Sequence, residues 1–106
     1  MEKKEWLYRI QPTRPGMLSE GPTEEEGRIV GEHFLYLKKL TAKGVVLLAG
    51  RTLNIDPSSF GIVIYLAENE KEAKRIFEED PAVRAGVFKG EVYPYKIALA
   101  GKSLLQ

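Results

Sequence analysis

The segment from residue 32 to residue 51, EHFLYLKKLTAKGVVLLAGR, constrains the fold most because it joins a helix directly to an apolar strand. Gly44 supplies the left-handed residue that commonly ends a helix. The run Val45–Gly50 is apolar without alternation, as in a central strand covered on both faces. The helix has an apolar stripe at three- and four-residue spacing, which predicts that its members face a sheet. These members are Ile29, Val30, His33, Phe34, Leu37 and Leu40.

The segments before and after this one supply further strands and the start of the helix. An alternation of period two over Glu5–Gln11 predicts a first strand. Prolines and glycines over residues 12–22 predict a loop. Thr23 with Glu26 forms the pattern of a capping box, which predicts that the helix begins there. Phe60–Leu66 is again apolar on both faces and predicts a third strand, in a hairpin with the second.

The last third of the chain predicts a second helix and a fourth strand. Asn69 is an N-cap residue, and the helix after it should stop before Asp80, because Pro81 disfavours helical geometry in the residue before it. Asp80 then caps a new turn. Val87–Leu99 predicts the final strand, with a bulge at Gly90. A proline at position 94 places the end of that strand at a sheet edge.

The order strand, helix, strand, strand, helix, strand predicts an α+β, ferredoxin-like fold, with a four-stranded antiparallel sheet and both helices on one face. At 106 residues the chain is expected to form a single domain, 1–106. The helix-free face would measure about 400 Å², and hiding two such faces against each other would contribute about 20 kcal/mol before association costs. The sequence therefore predicts a homodimer through the helix-free sheet face.

Composition removes several classes of function. The formal charge of +1 provides no electrostatic footprint for nucleic acid or an anionic membrane, so neither is expected as a partner. With no cysteine and one histidine, the chain is expected to bind no metal and no cofactor. No signal-peptide h-region and no apolar run of membrane-spanning length is present, which predicts a cytoplasmic protein.

Several short motifs resemble one known family in combination. The chain resembles the YciI-like (YCII-related) family of dimeric α+β barrel proteins. The motifs are Thr23-Glu-Glu-Glu, His33, Gly44–Gly50, Gly61, Glu72-Ala73, Asp80-Pro81, Ala85-Gly86-Val87 and Val92-Tyr93-Pro94. The resemblance implies a ferredoxin-like protomer, a dimer, and an active site whose histidine and aspartate correspond to His33 and Asp80.

The resemblance implies no single reaction. Relatives in this superfamily include muconolactone isomerase-like enzymes, chloro-aromatic catabolic proteins and cofactor-free oxygenases, and many YciI-like proteins have no assigned activity. The chain departs from the family pattern at Arg51, where a proline is usual. An arginine at that rim is suited to binding a substrate carboxylate.

His33 and Asp80 admit two interpretations. Histidine ordinarily titrates near neutral pH, and a carboxylate on one ring nitrogen would fix the tautomer and stabilise the imidazolium, which suits catalytic proton transfer. In the alternative, His33 is a packed core residue with both nitrogens satisfied, and Asp80 only caps the turn that follows it.

Four further residues are predicted to bind substrate. Arg9, Arg14 and Arg51 form an anion clamp if the loop folds over the strand ends, and Tyr36 lines an aromatic pocket. As solvated arginines and a packing tyrosine they need no such role. The leading hypothesis is a metal-free enzyme that catalyses an isomerase- or lyase-type proton transfer on a small anionic or aromatic metabolite. The alternative is a non-catalytic ligand-binding or assembly module.

Overall fold

The computed structural model of the chain describes residues 2–105 and contains one four-stranded antiparallel sheet with helices on one face. The strands are β1 (Lys4–Pro12), β2 (Val46–Arg51), β3 (Gly61–Ala67) and β4 (Phe88–Pro94). The helices are α1 (Glu24–Ala42), α2 (Glu70–Glu78) and α3 (Pro81–Arg84). The sheet order is β2-β3-β1-β4, which confirms the predicted ferredoxin-like α+β fold. The extent of the domain over the whole chain stays a prediction.

Helix α1 begins and ends where its local signals predict. The hydroxyl of Thr23 accepts from the Glu26 amide at 3.1 Å, and the Glu26 carboxylate accepts from the Thr23 amide at 2.8 Å. Gly44 has φ of 78° after the helix, and the amide of Val45 closes the end by donating to the Leu40 carbonyl. His33 therefore lies in the middle of a helix that is fixed at both ends.

The apolar stripe of α1 is narrower than predicted. Ile29 and Leu37 are buried, and His33 is partly buried between them. Phe34, however, is 63% exposed, so its assignment to the sheet-facing stripe is wrong. Tyr36 takes part in the packing instead, because the sheet contacts the side of α1 that carries residues 29, 33, 36 and 37.

The prediction that the second strand is central is wrong. β2 lies at the edge of the sheet and pairs only with β3, while β3 and β1 occupy the centre. Val46 is buried, but Leu47 and Ala49 are exposed, and the register shifts between Val46 and Leu48. An apolar run without alternation cannot distinguish a central strand from an edge strand, because both can carry apolar side chains on two faces.

The last strand also differs from the prediction. β4 stops at Pro94 rather than Leu99, although its edge position is confirmed. Gly90 forms no bulge, since it pairs with Ile10 in an unbroken register. A Cβ atom at Gly90 would instead overlap the backbone carbonyl of Arg9. The glycine is required for a close approach of two strands, which a local sequence pattern does not reveal.

The two faces of the sheet have different environments. On the helix side, Tyr8 and Tyr65 are fully buried, and Tyr8 pairs across the sheet with Val63 and Val92. On the helix-free side, Leu7 pairs with Ile64 and with Tyr93 of β4.

Within residues 2–105, no helix has the length and apolar character needed to cross a membrane.

Candidate functional site

The candidate site is built around a buried carboxylate at the junction between α2 and α3. Asp80 follows α2 and is the N-cap of α3, where its Oδ1 accepts the amide hydrogen of Ala82 at 3.0 Å. Pro81 occupies the first position of α3, which needs no amide donor. Asp80 has no solvent exposure. A carboxylate at such a depth requires partners, because burying an unpaired charge is very costly.

His33 is the second member of the site. Its Nδ1 lies 2.8 Å from Oδ1 and 2.8 Å from Oδ2 of Asp80, although 47 residues separate the two in sequence. The imidazole also packs edge to face against Phe88 at the start of β4, with ring centres 5.1 Å apart. The His33 side chain is 13% exposed, so the pair lies at the boundary between the core and solvent.

Tyr8 is the third member, and the sequence did not single it out as a site residue. Its hydroxyl donates to Asp80 Oδ2 at 2.7 Å. Burial, and secondly the charge of Asp80, raise the pKa of Tyr8 far above its usual value, so the phenol stays protonated. The period-two pattern of β1 contained a signal, since a tyrosine on the buried face beside Trp6 and Ile10 needs a hydrogen-bond partner.

These contacts determine the tautomer of neutral His33. Asp80 is an acceptor for the Tyr8 hydroxyl and the Ala82 amide, so Nδ1 of His33 donates to it as well. Nε2 then carries the lone pair. No protein group within residues 2–105 bonds to Nε2, and no buried side-chain nitrogen or oxygen there lacks a partner. Nε2 is therefore in contact with solvent and available to a ligand.

Two of the predicted substrate-binding arginines lie away from this pair. Arg9 is on the helix-free face, where its guanidinium carbon is 4.8 Å from the centre of the Phe60 ring and its Nη1 is 3.5 Å from Glu91. Arg51 is exposed at the end of β2 and lines a shallow cleft of about 260 Å³ together with Leu48 and Phe60.

Arg14 is occupied by contacts that hold the loop against α1. Its Nε and Nη2 donate to the two carboxylate oxygens of Glu26 at 2.9 and 2.8 Å, and Nη2 also donates to the Gly21 carbonyl. Its Nη1 lies 3.1 Å from Glu20. The structure thus does not bring the three arginines together, and their roles in substrate binding stay predictions.

The Arg14–Glu26 contact makes stability depend on pH. Hydrogen bonds from Arg14, and then from Thr23, lower the pKa of Glu26 from its usual 4.5 to about 2. Because the folded-state pKa is depressed, this stabilisation is complete above pH 4.5 and is lost as the pH falls through about 2. Glu26→Gln should therefore melt below wild type at neutral pH, with the gap closing over that range. Glu25→Gln, on the same helix turn, is the control, and a gap that persists below pH 2 would contradict the assignment.

Tyr36 lines a cleft that lies in a different place from the His33–Asp80 pair. The cleft measures about 360 Å³ and lies between the end of α1 and α2, with Lys39 and Lys43 on its rim. The Tyr36 hydroxyl donates to the Ile76 carbonyl at 2.7 Å, and burial raises the pKa of Tyr36 to about 12. Neither cleft is lined by His33 or Asp80. Within residues 2–105, no three imidazole or carboxylate groups lie close enough to bind a metal ion.

Two solved structures resemble this one over most of the chain. The 5-chloro-2-hydroxyhydroquinone dehydrochlorinase (TftG) from Burkholderia phenoliruptrix AC1100, in complex with 2,5-dihydroxybenzoquinone, is 25% identical with a TM-score of 0.63. The match covers 86% of this chain and 93% of that one. An uncharacterised protein from Thermotoga maritima is 12% identical with a TM-score of 0.53, covering 90% of this chain and 100% of that one.

The structural neighbours are ferredoxin-like proteins of the dimeric α+β barrel type. No curated protein sequence matches the chain. The sequence profile of the YCII-related domain, however, matches residues 7–96, which is most of the chain and includes Tyr8, His33 and Asp80. By this match the chain belongs to the YCII-related domain family.

Proposed function

We propose that the protein is a small-molecule enzyme in which His33 Nε2 accepts a proton from a carbon of the substrate and then passes it on, either to another carbon or to water. The observation that carries this proposal is the buried Asp80 carboxylate, which binds His33 Nδ1 at 2.8 Å and thereby leaves Nε2 as the free base. A carboxylate behind an imidazole also stabilises the imidazolium that forms when the proton arrives. No metal or cofactor enters the proposal.

The chemistry suited to such a base is proton removal next to a carbonyl. Nε2 takes the proton, the electrons of the broken C–H bond form a carbon–carbon double bond, and the carbonyl oxygen takes up the displaced pair as an enolate. In an isomerisation, the imidazolium returns the proton at another carbon. In an elimination, the enolate oxygen re-forms its carbonyl, the electrons of the carbon–carbon double bond move to the next carbon–carbon bond, and a leaving group such as chloride departs from the neighbouring carbon with its bonding electrons. The imidazolium then passes its proton to water. Both routes need one base that alternates between two protonation states.

The proposed substrate class is a hydroxylated aromatic or quinonoid metabolite. The similarity to a dehydrochlorinase that was solved with 2,5-dihydroxybenzoquinone supports this class. The edge-to-face contact between the His33 ring and Phe88 supports it as well, because it provides an aromatic side chain next to the imidazole. Of the three arginines predicted to bind substrate, Arg51 is the one that forms no ion pair within residues 2–105. It lies away from the His33–Asp80 pair, so it does not enter this proposal.

A titration with 2,5-dihydroxybenzoquinone tests the site directly. The chain has one histidine, so the NMR signals of its imidazole need no assignment by mutagenesis. We expect the quinone to shift these signals in a saturable manner, with 1,4-dimethoxybenzene as the control, since it has a similar ring but no acidic proton or carbonyl. If the quinone leaves the imidazole signals unchanged at millimolar concentration, the proposed substrate class is wrong.

One observation favours the alternative of a non-catalytic module. His33 and Asp80 line neither of the two clefts described above, and every polar atom of the pair apart from Nε2 has a hydrogen-bond partner within residues 2–105. In this alternative the three-residue cluster joins β1, α1 and the α2–α3 junction, and ligands bind elsewhere. The two functions differ in what the removal of Nε2 does to turnover.

We further propose a homodimer through the helix-free sheet face. This face carries a continuous row of apolar side chains across all four strands, and the helices cover only the opposite side. Its apolar members are Leu7, Leu48, Ile62, Ile64, Leu66 and Tyr93. The similarity to proteins of the dimeric α+β barrel type supports the same assembly. A cytoplasmic location stays a prediction.

A further inference from the structure

The two oxygens of Asp80 have different partners, and this difference assigns a role to Tyr8. Oδ1 accepts from the Ala82 amide at 3.0 Å, and Oδ2 accepts from the Tyr8 hydroxyl at 2.7 Å. His33 Nδ1 is equally close to both oxygens. Tyr8 is thus the only side chain besides His33 within residues 2–105 that donates to this carboxylate.

The position of the Tyr8 hydroxyl is fixed by its surroundings. Tyr8 has no solvent exposure and sits on a central strand, paired with Val63 on one side and Val92 on the other. Its ring contacts Tyr65 and Phe77 edge to face, at centroid distances of 5.4 and 5.1 Å. A side chain held on all sides keeps its hydroxyl in place without losing further rotational entropy when the carboxylate binds it.

We propose that Tyr8 is a positioning residue whose hydroxyl holds the Asp80 carboxylate towards His33. The same hydrogen bond stabilises the ionised carboxylate beside neutral His33, so the pair takes up its proton at a lower pH than it would without the hydroxyl. The inference deepens the proposed function, because it concerns the same proton-transferring pair and rests on His33 acting as the base. Within residues 2–105 the Tyr8 hydroxyl bonds to Asp80 and not to His33. Its effect on a substrate therefore passes through Asp80 and His33.

The direction of the effect follows from the charge of the pair. When His33 is neutral, Asp80 carries an uncompensated buried charge, and the Tyr8 hydrogen bond stabilises that charge. When His33 accepts a proton, the pair becomes neutral and needs the hydroxyl less. Removing the hydroxyl therefore penalises the form with neutral His33 more strongly. The pair should then bind its proton at higher pH.

Other titratable groups near the hydroxyl do not provide a competing cause. Those that face it are Asp80, His33, Tyr36 and Tyr65. The hydroxyls of Tyr36 and Tyr65 donate to the carbonyls of Ile76 and Ala73, each at 2.7 Å, and burial raises the pKa of both phenols. Both stay neutral while the pair changes charge, so a shift on removing the Tyr8 hydroxyl reports on the pair alone.

The test compares Tyr8→Phe with Tyr65→Phe. The two tyrosines are both fully buried, lie on neighbouring strands, and donate one hydrogen bond of 2.7 Å. Only the first hydroxyl contacts Asp80. The readout is the pH midpoint at which the Cε1–H signal of the single histidine moves. We expect the midpoint in Tyr8→Phe to rise by about one pH unit, the scale of one lost hydrogen bond to a carboxylate. In Tyr65→Phe the midpoint should stay at the wild-type value.

An unchanged midpoint in Tyr8→Phe, or equal shifts in both variants, would overturn the role of Tyr8. The titration requires no substrate, so it can fail independently of the proposed function, which is tested by the turnover of a His33 variant. If Tyr8→Phe does not fold, the wild-type protein supplies the test. The Tyr8 hydroxyl proton should then exchange slowly and show a nuclear Overhauser effect to the Nδ1 proton of His33, and the absence of that contact would overturn the proposal.

Discussion

His33→Asn should lower the rate of proton transfer by about 10² to 10⁴-fold, the usual loss for a positioned acid or base. Asparagine places an amide hydrogen near the position of Nδ1, so Asp80 keeps a donor at a site where wild type has a 2.8 Å contact. The basic nitrogen Nε2 is lost. The variant therefore separates the chemistry of the imidazole from its packing, and its melting temperature should stay close to that of wild type.

The rate can be measured without knowledge of the natural substrate. In D₂O a deuteron adds to a ring carbon of 2,5-dihydroxybenzoquinone as a hydroxyl proton leaves, which gives the keto tautomer, and removal of the original proton from that carbon restores the ring. Deuterium uptake at these carbons, followed by NMR, therefore reports proton transfer at carbon by the protein. His33→Gln is the matched variant, because its longer amide reaches towards the position of Nε2 but is not basic, so it should be as inactive as His33→Asn. Leu35→Asn, which lies two positions further along α1 and replaces an exposed side chain, is a control for the substitution itself.

Asp80→Asn should lower the same rate through the tautomer of His33. An amide in place of the carboxylate can donate to Nδ1, which would move the ring proton to Nε2 and remove the free base. Since both substitutions disable one unit, the double variant should lose little more than either single variant. If both single variants melt much lower yet keep their rate per folded molecule, the cluster is architectural and the enzyme proposal is wrong.

The limits of the helices were predictable because their signals are local. The capping box at Thr23 and the glycine at position 44 act within four residues of the helix ends they determine, and the structure shows both contacts. The edge position of β2 was not predictable in this way. It depends on which strand lies beside β3, and the sequence of β2 is compatible with either place. The need for glycine at position 90 was not predictable from local sequence either, because the atom that excludes a side chain there is the backbone carbonyl of Arg9 on another strand.

The candidate site was predictable in part. The helical periodicity places His33 towards the sheet, and the Asp80-Pro81 pair places a carboxylate at the start of a turn. Their meeting across 47 residues was implied only by the resemblance, because no local pattern fixes how α1 packs on the α2–α3 junction. Tyr8 was missed because an aromatic residue on a buried strand face usually serves packing. What distinguishes it is a partner 72 residues away.

The second large effect is expected from a charge on the helix-free face, which should prevent dimerisation. Wild type should scatter light as a particle of twice 11.9 kDa at micromolar concentration, since two apolar sheet faces would be hidden against each other. Leu7→Glu places a charge between Ile64 and Tyr93, in the middle of that face. Burying an unpaired carboxylate costs several kcal/mol per chain, and both chains carry it. The dissociation constant of the dimer should therefore rise about 10³-fold or more.

The control for this charge lies on the other side of the molecule. Phe34 is 63% exposed on the outer side of α1, so Phe34→Glu introduces the same carboxylate without touching the helix-free face. It should remain a dimer with an unchanged elution volume, while Leu7→Glu elutes as a folded monomer with wild-type circular dichroism. A wild-type monomer at micromolar concentration would reject the dimer outright. If Phe34→Glu dissociated and Leu7→Glu did not, the interface would lie on α1 instead, and the exposed Phe34 and Leu35 would be its centre.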